Sequence, residues 1–538
     1  MSTSANLSRR GFLYGSAALG ASLGLSALPF SAALAQEIKP GGTAVIALSS
    51  EPPVISALGH TAYYTVFVSG KTNEGLLAYD FDLTPKPQLA TEWKVSDDGL
   101  RYDFTLRDGV KWHDGTPFTS KDVAFSLKTI KEVHPRGRNT FANVTDVQTP
   151  DDQHVTLILS EPAPYLIRAL AASETPIVPV HLYGTGEPLE NPAQNAPVGT
   201  GPYVFKEWVR GSHIIYDRNP DYWDQPKPAI DRLVIRFLPD AAARVAAIES
   251  GEVHIAPGEP IPIADLSRIE QNPELGLEWN GYQYANGVRR VEFNLDRPIF
   301  QDVRVRKAFA QVIDPEVILN LTNFGYGHVL NGPIHPNLKD FYFADLPRHE
   351  INPTKAEALL DEAGHPRGSD GTRFSVHLDY VPGSEGTRRG AEYIRQALQQ
   401  IGVDAQIRAQ DFATYTKRVY TDRDFDFLYN GMSNLFDPTV GVQRLYWSKN
   451  FKPGVPFSNG SHYHNPEVDQ LLEASAVEND HQKRRQQWRR IQEILFEDIP
   501  SIYTVTSPEH TVFNRKIAGH TPDAAGLFGN GSDIHFIA

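Results

Sequence analysis

The stretch AEYIRQALQQIGVDAQIRA (391–409) decides the fold of this 538-residue chain. Its apolar residues first repeat at helical spacing, at Ala391, Ile394 and Leu398, and then alternate through VDAQIRA as they do in a strand. After a short helical stretch, DFDFLYNG (424–431) has the pattern of another strand. Helix, strand, helix and strand in this order predict a βαβ layer with a parallel sheet.

Similar patterns run through the rest of the chain. One helix is expected after the cap residues Thr119 and Ser120, and another is expected between Asn352-Pro353 and Gly364. Strands are expected within 41–48, 100–112, 154–160 and 198–208. Because a single hydrophobic core stops growing at about 250 to 300 residues, two or three domains are predicted.

The composition excludes several classes of function. The formal net charge is −14, so nucleic acid is not an expected partner, because phosphate binding needs a basic surface. The chain has no cysteine, which excludes disulfides, thiolate metal ligands and a cysteine nucleophile. After the first 35 residues, no stretch of the sequence is apolar enough to predict a membrane span.

Residues 1–35 have the pattern of a bacterial signal peptide. Arg9 and Arg10 precede a stretch rich in Gly, Ala and Leu that ends at Ala35. This pattern resembles the twin-arginine signal, which implies export of the folded protein, cleavage after Ala35 and a mature chain that starts at Gln36. Because the cleavage site has no cysteine, we expect a periplasmic protein without a lipid anchor.

A polar loop is expected beyond the carboxyl end of the strand at 424–431, where open α/β sheets bind their ligands. The stretch NGMSNLFDP (430–438) combines amides, a thioether and an Asp-Pro stop. Asp437, before Pro438, is expected to cap a helix or a turn rather than to contact a ligand. Five residues of this stretch are predicted ligand contacts: Asn430, Gly431, Met432, Ser433 and Asn434.

Seven stretches in one order resemble the family 5 periplasmic solute-binding proteins, which deliver peptides, nickel chelates, opines or sugars to ATP-driven importers. Together they cover nearly all of the chain after the leader. The stretches are LRDGVKWHDGTPFTSKDVAFSL (106–127), PVGTGPYVFKEW (197–208), NPDYW (219–223), IDRLVIRFLPDAAARVAAIESGEV (230–253), FNLDRPIFQDVRVRKAFAQVID (293–314), NPTKAEALLDEAG (352–364) and DFDFLYNGMSNLFDP (424–438).

The resemblance implies an α/β, bilobal periplasmic-binding-protein fold of type II, cluster C, with an extra subdomain inserted in lobe I. Lobe I would comprise residues 36–287, with the inserted subdomain at about 78–190, and the chain would return to it at 507–538. Lobe II would comprise residues 288–506. The ligand would be enclosed when the two lobes close about a hinge.

The loop after the strand at 424–431 departs from that of the dipeptide binders of this family. Their loop resembles G-W-x-x-D-x-x-D-P, and its first aspartate accepts the terminal ammonium of the ligand. Here Met432 stands at the tryptophan and Asn434 at that aspartate, with one residue fewer before Asp437. An amide does not neutralise a buried ammonium, so a free peptide N-terminus is disfavoured. Asn434 is expected to bind hydroxyls or amides of a sugar-like, opine-like or capped ligand, or alternatively only to form a turn.

Further ligand contacts are predicted in the N-terminal half. Tyr63 and Tyr64 lie in a segment that faces the cleft in this family, although a tyrosine pair also suits packing. Asn73 lies near the crossing into the inserted subdomain and either contacts the ligand or caps a turn. Arg136 and Arg138, in the loop HPRGRNT, can bind a carboxylate or phosphate, or else they are solvated.

Enzyme motifs are absent from the sequence after the leader: it contains no nucleophile elbow, zinc-protease motif, Walker loop or full dinucleotide-binding motif. His462 and His464 would share one face of a strand, but no third ligand stands at suitable spacing. Neither a metal nor a cofactor is predicted.

The expected function is that of a monomeric, non-enzymatic binding protein. It would capture a small polar solute, which is peptide-like, opine-like or sugar-like, and pass it to an inner-membrane ABC permease and its ATPase. The alternatives are a secreted hydrolase or metal-dependent enzyme with an unrecognised site, and a chemoreceptor-linked sensor of the same fold.

Overall fold

The computed structural model describes residues 38–382 and 384–538. The predicted signal peptide, with its twin-arginine pattern, lies outside the described residues. None of the helices in the described ranges combines the length and the apolarity that a membrane span needs.

The described strands are β1 (Ile38–Lys39), β2 (Thr43–Leu48), β3 (Leu77–Tyr79), β4 (Pro85–Pro87), β5 (Ala90–Val95), β6 (Arg101–Leu106), β7 (Val144–Asp151), β8 (His154–Leu159), β9 (Tyr203–Val209), β10 (His213–Arg218), β11 (Arg232–Phe237), β12 (Ile255–Pro257), β13 (Leu275–Glu278), β14 (Gly287–Phe293), β15 (Phe374–Tyr380), β16 (Val403–Arg408), β17 (Phe427–Ser433), β18 (Ser501–Thr506), β19 (Thr511–Asn514), β20 (Ile517–Ala518) and β21 (His535–Ile537).

The described α-helices are α1 (Tyr63–Ser69), α2 (Ser120–Val133), α3 (Gly137–Thr140), α4 (Val180–Tyr183), α5 (Ala241–Glu249), α6 (Leu266–Glu270), α7 (Pro298–Gln301), α8 (Val303–Ala310), α9 (Pro315–Asn323), α10 (Pro353–Glu362), α11 (Glu385–Gln400), α12 (Phe412–Thr416), α13 (Pro438–Gly441), α14 (Gln443–Tyr446), α15 (Pro466–Val477) and α16 (His481–Asp498).

Each lobe is built on a mixed sheet. The strand order is β13-β19-β12-β2-β11-β10-β9 in lobe I and β16-β15-β17-β14-β18 in lobe II. In lobe II, β15 runs parallel to β16 and β17, as the sequence predicts, whereas β14 runs antiparallel to β17 and β18. The bilobal α/β fold is confirmed, and the lobe II sheet is mixed rather than purely parallel.

The chain passes between the two sheets at the connections from β13 to β14 and from β18 to β19. β19 lies between β13 and β12, so the C-terminal segment returns to the lobe I sheet. A separate four-stranded sheet, β5-β6-β8-β7, is inserted between β2 and β9. The residue limits of the lobes taken from the resemblance stay a prediction.

The helices begin at the cap signals of the sequence. α2 starts with a capping box between Thr119 and Asp122, in which the backbone N–H of Thr119 donates to Asp122 Oδ2 at 2.8 Å. Asn352 caps α10 by accepting from the backbone N–H of Lys355 at 3.1 Å. Local capping therefore accounts for both predicted helix starts.

β17 continues two residues beyond the predicted strand, to Ser433. Gly431, Met432 and Ser433 pair with residues of β14, so they belong to the sheet and not to a loop. The loop begins at Asn434 and turns at Leu435, which has a φ of 57°.

The two lobes are in contact in this structure. Tyr284, in the connection between β13 and β14, packs on Phe436 with ring centroids 4.8 Å apart and donates its hydroxyl to the carbonyl of Arg168 at 2.6 Å. Arg168, which follows the inserted sheet, also pairs with Asp340 of lobe II at 2.9 Å. One apolar core extends from the inserted sheet to Phe436 and Trp488. The described chain is therefore in a closed form.

A charged cluster lies where the chain crosses between the lobes. Arg289 of β14 pairs with Glu259 at 3.6 Å. Burial, followed by the charge of Glu259, raises the pKa of Glu509 to about 8, although the charge of Arg289 opposes this shift. Burial also raises the pKa of Tyr63 well above its usual range, and Tyr282 and Glu509 add to this effect. We call Tyr63, Glu259, Tyr282, Arg289 and Glu509 the hinge cluster.

Asp437 fixes the segment that follows β17. Its carboxylate accepts from the backbone N–H of Thr439 at 2.9 Å, and it accepts two hydrogen bonds from the Arg484 guanidinium at 2.9 and 2.5 Å. The side chains of Asp437 and Arg484 are 1% and 6% exposed. Asp437 is thus the expected cap, and it is also half of a buried ion pair that the sequence did not reveal.

We predict that Glu509→Gln raises the free energy of unfolding at pH 8 but not near pH 4.5. Glu509 ionises at a lower pH in the unfolded chain than in the folded protein. Raising the pH from 4.5 to 8 therefore lowers the free energy of unfolding of the wild-type protein, by roughly 1 to 4 kcal/mol. Urea unfolding from pH 4.5 to 8 measures the difference. The control variant Glu385→Gln should not raise the free energy of unfolding at pH 8, because the hydrogen bond from Arg388 lowers the pKa of Glu385. A Glu509→Gln difference that does not change with pH would contradict the assignment.

We predict that Asp437→Asn lowers the free energy of unfolding by about 3 to 5 kcal/mol, since it leaves a buried guanidinium without its counter-charge. Urea unfolding at neutral pH measures the loss. Glu385→Gln again serves as the control: its ion pair with Arg388 is exposed, so the change should stay below about 1 kcal/mol. Equal losses in the two variants would show that the buried pair has no special role.

Candidate functional site

Lobe II carries polar side chains on one face of two neighbouring strands, β14 and β17. Arg290 of β14 stands opposite Asn430 of β17, and Glu292 lies two residues further along β14. Because strand residues alternate between faces, Val291 and Tyr429 point into the core on the other side, which α8 and α11 complete. One pair of strands therefore supplies both the core of lobe II and a polar surface.

Arg290, Glu292 and Asn430 form one buried hydrogen-bonded group. Arg290 donates to Glu292 Oε2 at 2.7 Å, and Asn430 Nδ2 donates to the same oxygen at 3.1 Å. Arg290 also donates to the hydroxyl of Tyr446 at 2.9 Å. Burial disfavours the charge of Arg290, but the nearby carboxylate of Glu292 raises its pKa above the usual value. The pair is therefore charge-balanced within lobe II.

This group has unused hydrogen-bonding capacity. Glu292 Oε1, Arg290 Nε and Asn430 Oδ1 are buried and have no partner among the described residues, and the same holds for the hydroxyls of Tyr415 and Tyr420. A buried polar atom left unpaired costs about 1 to 3 kcal/mol, so a group of them in one place calls for a partner. Three of these atoms lie on one face of the lobe II sheet, and the two tyrosines approach Glu292 from the segment after β16, which makes this face the candidate polar surface.

Arg444, on α14, carries an unbalanced charge beside this group. Its guanidinium donates to the carbonyls of Gly441 at 3.1 Å, Phe457 at 3.2 Å and Ser433 at 3.5 Å. The nearby carboxylates of Glu174 and Glu292 are paired with other arginines. Burial, and then the charge of Arg136, lower the pKa of Arg444 to about 10.

Arg136 approaches Arg444 from lobe I. It forms a bidentate ion pair with Glu174, in which Nε donates to Oε2 at 2.7 Å and the second bond joins Nη2 to Oε1. Glu174 is 4% exposed, so the charge of Arg136 is balanced within lobe I. We call Arg136, Glu174, Arg290, Glu292 and Arg444 the cleft cluster, because it combines residues of both lobes.

The amide oxygen of the Asn434 side chain is hydrogen-bonded, whereas its amide nitrogen is not. Its Oδ1 accepts from the backbone N–H of His335 at 2.6 Å, and its own backbone N–H donates to the carbonyl of Asn286 at 3.0 Å. Its Nδ2 is buried without a partner among the described residues. Asn434 therefore stabilises the turn, which was one of the two roles expected from the sequence. A contact between its Nδ2 and a ligand stays a prediction.

The other residues predicted on β17 differ in their environments. Asn430 belongs to the polar group, and the carbonyl of Ser433 accepts from Arg444. Met432 is buried in the apolar core that links the inserted sheet to lobe II. Gly431 stands opposite Arg289 in the sheet.

The residues predicted in lobe I are also dispersed. Arg136 is in the cleft cluster, whereas Tyr63 belongs to the hinge cluster. The hydroxyl of Tyr64 hydrogen-bonds with Ser49, and buried Asn73 donates to the carbonyl of Ile177 at 3.2 Å. Arg138 is exposed and takes part in no hydrogen bond or ion pair within the described ranges.

Four residues of the cleft cluster were not predicted from the sequence: Glu174, Arg290, Glu292 and Arg444. A signal existed for two of them. Arg290 and Glu292 place opposite charges two residues apart in a strand that is otherwise buried, and such a pattern needs a partner on the same face. Glu174 and Arg444 lie in irregular segments or short helices, where no periodicity marks a side chain as buried.

No cluster of three or more metal-ligating side chains is found in the described part of the chain. The ring of His462 stacks on Phe451, with centroids 3.5 Å apart, and its Nδ1 pairs with Asp296 at 2.6 Å. His464 lies 3.9 Å from Asp469. Both histidines therefore have partners other than each other.

Comparison with known proteins gives the family. Residues 84–454 match the model of "Bacterial extracellular solute-binding proteins, family 5 Middle". The glutathione-binding protein GsiB of Salmonella typhimurium is 26% identical over 513 residues, which cover 94% of this chain and 95% of that protein. The dipeptide-binding protein of Escherichia coli is 27% identical over 470 residues, which cover 82% of this chain and 84% of the relative.

Solved structures agree with this relationship. The binding protein AgaA of A. tumefaciens R10, in complex with agropinic acid, has a TM-score of 0.77 and 27% identity, and the match covers 92% of this chain and 99% of AgaA. The oligopeptide-binding protein AppA of Bacillus subtilis, in complex with a nonapeptide, has a TM-score of 0.79 and 25% identity. This match covers 93% of this chain and 100% of AppA. The chain therefore belongs to the family 5 bacterial extracellular solute-binding proteins, which capture a ligand between two lobes for an ABC importer.

Proposed function

We propose that this protein binds a small polar solute in the periplasm as a monomer and releases it chemically unchanged to an ABC permease and its ATPase. The observation that carries the proposal is the cleft cluster: two lobes close on buried polar groups that the protein itself leaves partly unpaired. Enclosure of this kind supplies affinity by excluding water, while a few polar atoms fix orientation.

Export by a twin-arginine-type signal is part of the proposal. Its support is the sequence alone: Arg9, Arg10 and the Ala-rich stretch up to Ala35. Without a cysteine at the cleavage site, the mature protein is proposed to be free in the periplasm and not anchored by a lipid.

The ligand is proposed to be opine-like, sugar-like or a blocked peptide rather than a peptide with a free N-terminus. Asn434 offers an amide donor where a carboxylate would be needed to neutralise a terminal ammonium. Among the relatives, the complex of AgaA with agropinic acid and the glutathione-binding protein support a small polar solute.

The test is thermal unfolding of the protein purified from the periplasm and stripped of ligand by mild unfolding and refolding. The panel contains glutathione, dipeptides, opines, oligosaccharides and nickel chelates. A ligand at about a thousand times its dissociation constant adds roughly 4 kcal/mol to stability, which raises the midpoint by a few degrees. Recovery of that ligand unchanged after long incubation is expected. Conversion of many equivalents of ligand per protein molecule would instead establish an enzyme, and silence across the panel would favour a sensor with another ligand.

We predict that Asn434→Asp lets the protein bind dipeptides with a free N-terminus. The variant keeps an oxygen for the His335 N–H and replaces the buried amide nitrogen by a second oxygen, which can neutralise an ammonium. Thermal midpoints with Ala-Ala and with N-acetyl-Ala-Ala measure the change: the free dipeptide should gain at least about tenfold in affinity relative to the acetylated one, a shift of about 1.4 kcal/mol. A wild-type protein that already prefers Ala-Ala would refute the argument from Asn434.

A further inference from the structure

The charges of the cleft cluster do not cancel. Arg136 is paired with Glu174 in lobe I, and Arg290 is paired with Glu292 in lobe II. Arg444 lies near both pairs but makes no ion pair of its own within the described ranges. Closure of the lobes therefore places one positive charge, without its own counter-charge, among buried groups.

Arg444 also has N–H groups that donate to no acceptor among the described residues. A guanidinium has five N–H groups. In Arg444, Nε donates to Gly441, one N–H of Nη1 donates to Phe457 and one of Nη2 donates to Ser433, which leaves one N–H on each terminal nitrogen. Two N–H groups, one on each terminal nitrogen, are the number of donors with which a guanidinium binds the two oxygens of a carboxylate or phosphate.

Two buried arginines show that carbonyl contacts alone do not explain half-buried Arg444. Arg306 and Arg244 also donate to backbone carbonyls. Nearby carboxylates, however, favour the charged state of both: Asp498 for Arg306 and Asp240 for Arg244. The Glu174 carboxylate likewise favours the charged state of Arg444, but Glu174 is already ion-paired with Arg136, and the charges of Arg136 and Arg290 act against that state.

We propose that Arg444 binds an anionic group of the solute, a carboxylate or a phosphate, and thereby selects anionic ligands. The bound anion would lie beside Arg136 of lobe I as well, so it would remove the repulsion between the two arginines that closure otherwise creates. A neutral solute of the same shape leaves this repulsion in place and closes the lobes less well. This inference rests on the proposed function and names its class of substrate.

The first test uses matched probes on the full protein. N-acetyl-Ala-Ala is compared with its primary amide, glutarate with glutaramide, and glycerol 3-phosphate with glycerol, by thermal unfolding and titration calorimetry. In the wild-type protein, a charged member is expected to bind at least tenfold more tightly than its neutral partner. The carboxylate and phosphate pairs show which anion is preferred. Arg444→Gln should abolish the preference, whereas the control Arg388→Gln, at an exposed ion pair, should keep it.

Two results would overturn the inference: neutral probes that bind as tightly as charged ones, or an Arg444→Gln variant that retains the preference for the anion. Failure of the proposed function would look different, since no probe would then bind or the probe would be converted.

Unfolding of the ligand-free protein gives a second, independent readout. Arg444→Gln should unfold at an equal or higher urea concentration than the wild-type protein at low salt, because it removes a positive charge that lacks its own carboxylate. Arg290→Gln should unfold at a lower concentration, because it leaves Glu292 buried without its partner. If both variants are destabilised equally, Arg444 is structural and the inference fails, even where no probe binds.

Discussion

The closed form depends on how guanidinium groups are neutralised where the two lobes meet. Two of the three arginines in the cleft cluster have a carboxylate on their own lobe, so each lobe can desolvate its pair independently of the other. Arg444 has only backbone carbonyls and the charges of its neighbours. An isolated buried charge is costly, so closure of the lobes is coupled to neutralisation of the Arg444 charge. This coupling favours a ligand that supplies the missing negative charge.

The polar surface and the core of lobe II come from the same two strands. Alternation along β14 sends Val291 and Phe293 into the helix-packed core and Arg290 and Glu292 to the opposite face. The part of the site formed by Arg290, Glu292 and Asn430 is therefore built on sheet residues, which a packed core holds in place. The buried pair of Asp437 and Arg484 adds a second fixed point directly after β17.

Much of the fold follows from local signals in the sequence. The helix stripe at Ala391, Ile394 and Leu398, followed by alternation from Val403, predicted α11 and β16 correctly, because amphipathic periodicity is a local property. The site was less predictable. Asn430 and Arg136 were found from their position and type, but Glu174 and Arg444 become neighbours only when segments far apart in the chain fold together. The extent of β17 was underestimated because pairing with β14, a long-range contact, turns Met432 and Ser433 into strand residues.

The bound molecule can be identified by native mass spectrometry of the protein purified from the periplasm, followed by its release. We expect one small molecule per chain, carrying at least one carboxylate or phosphate, and recovered unchanged after prolonged incubation with the protein. A neutral or purely cationic molecule at one-to-one stoichiometry, or a molecule that the protein converts to a product, would show that Arg444 does not select an anionic solute for transport.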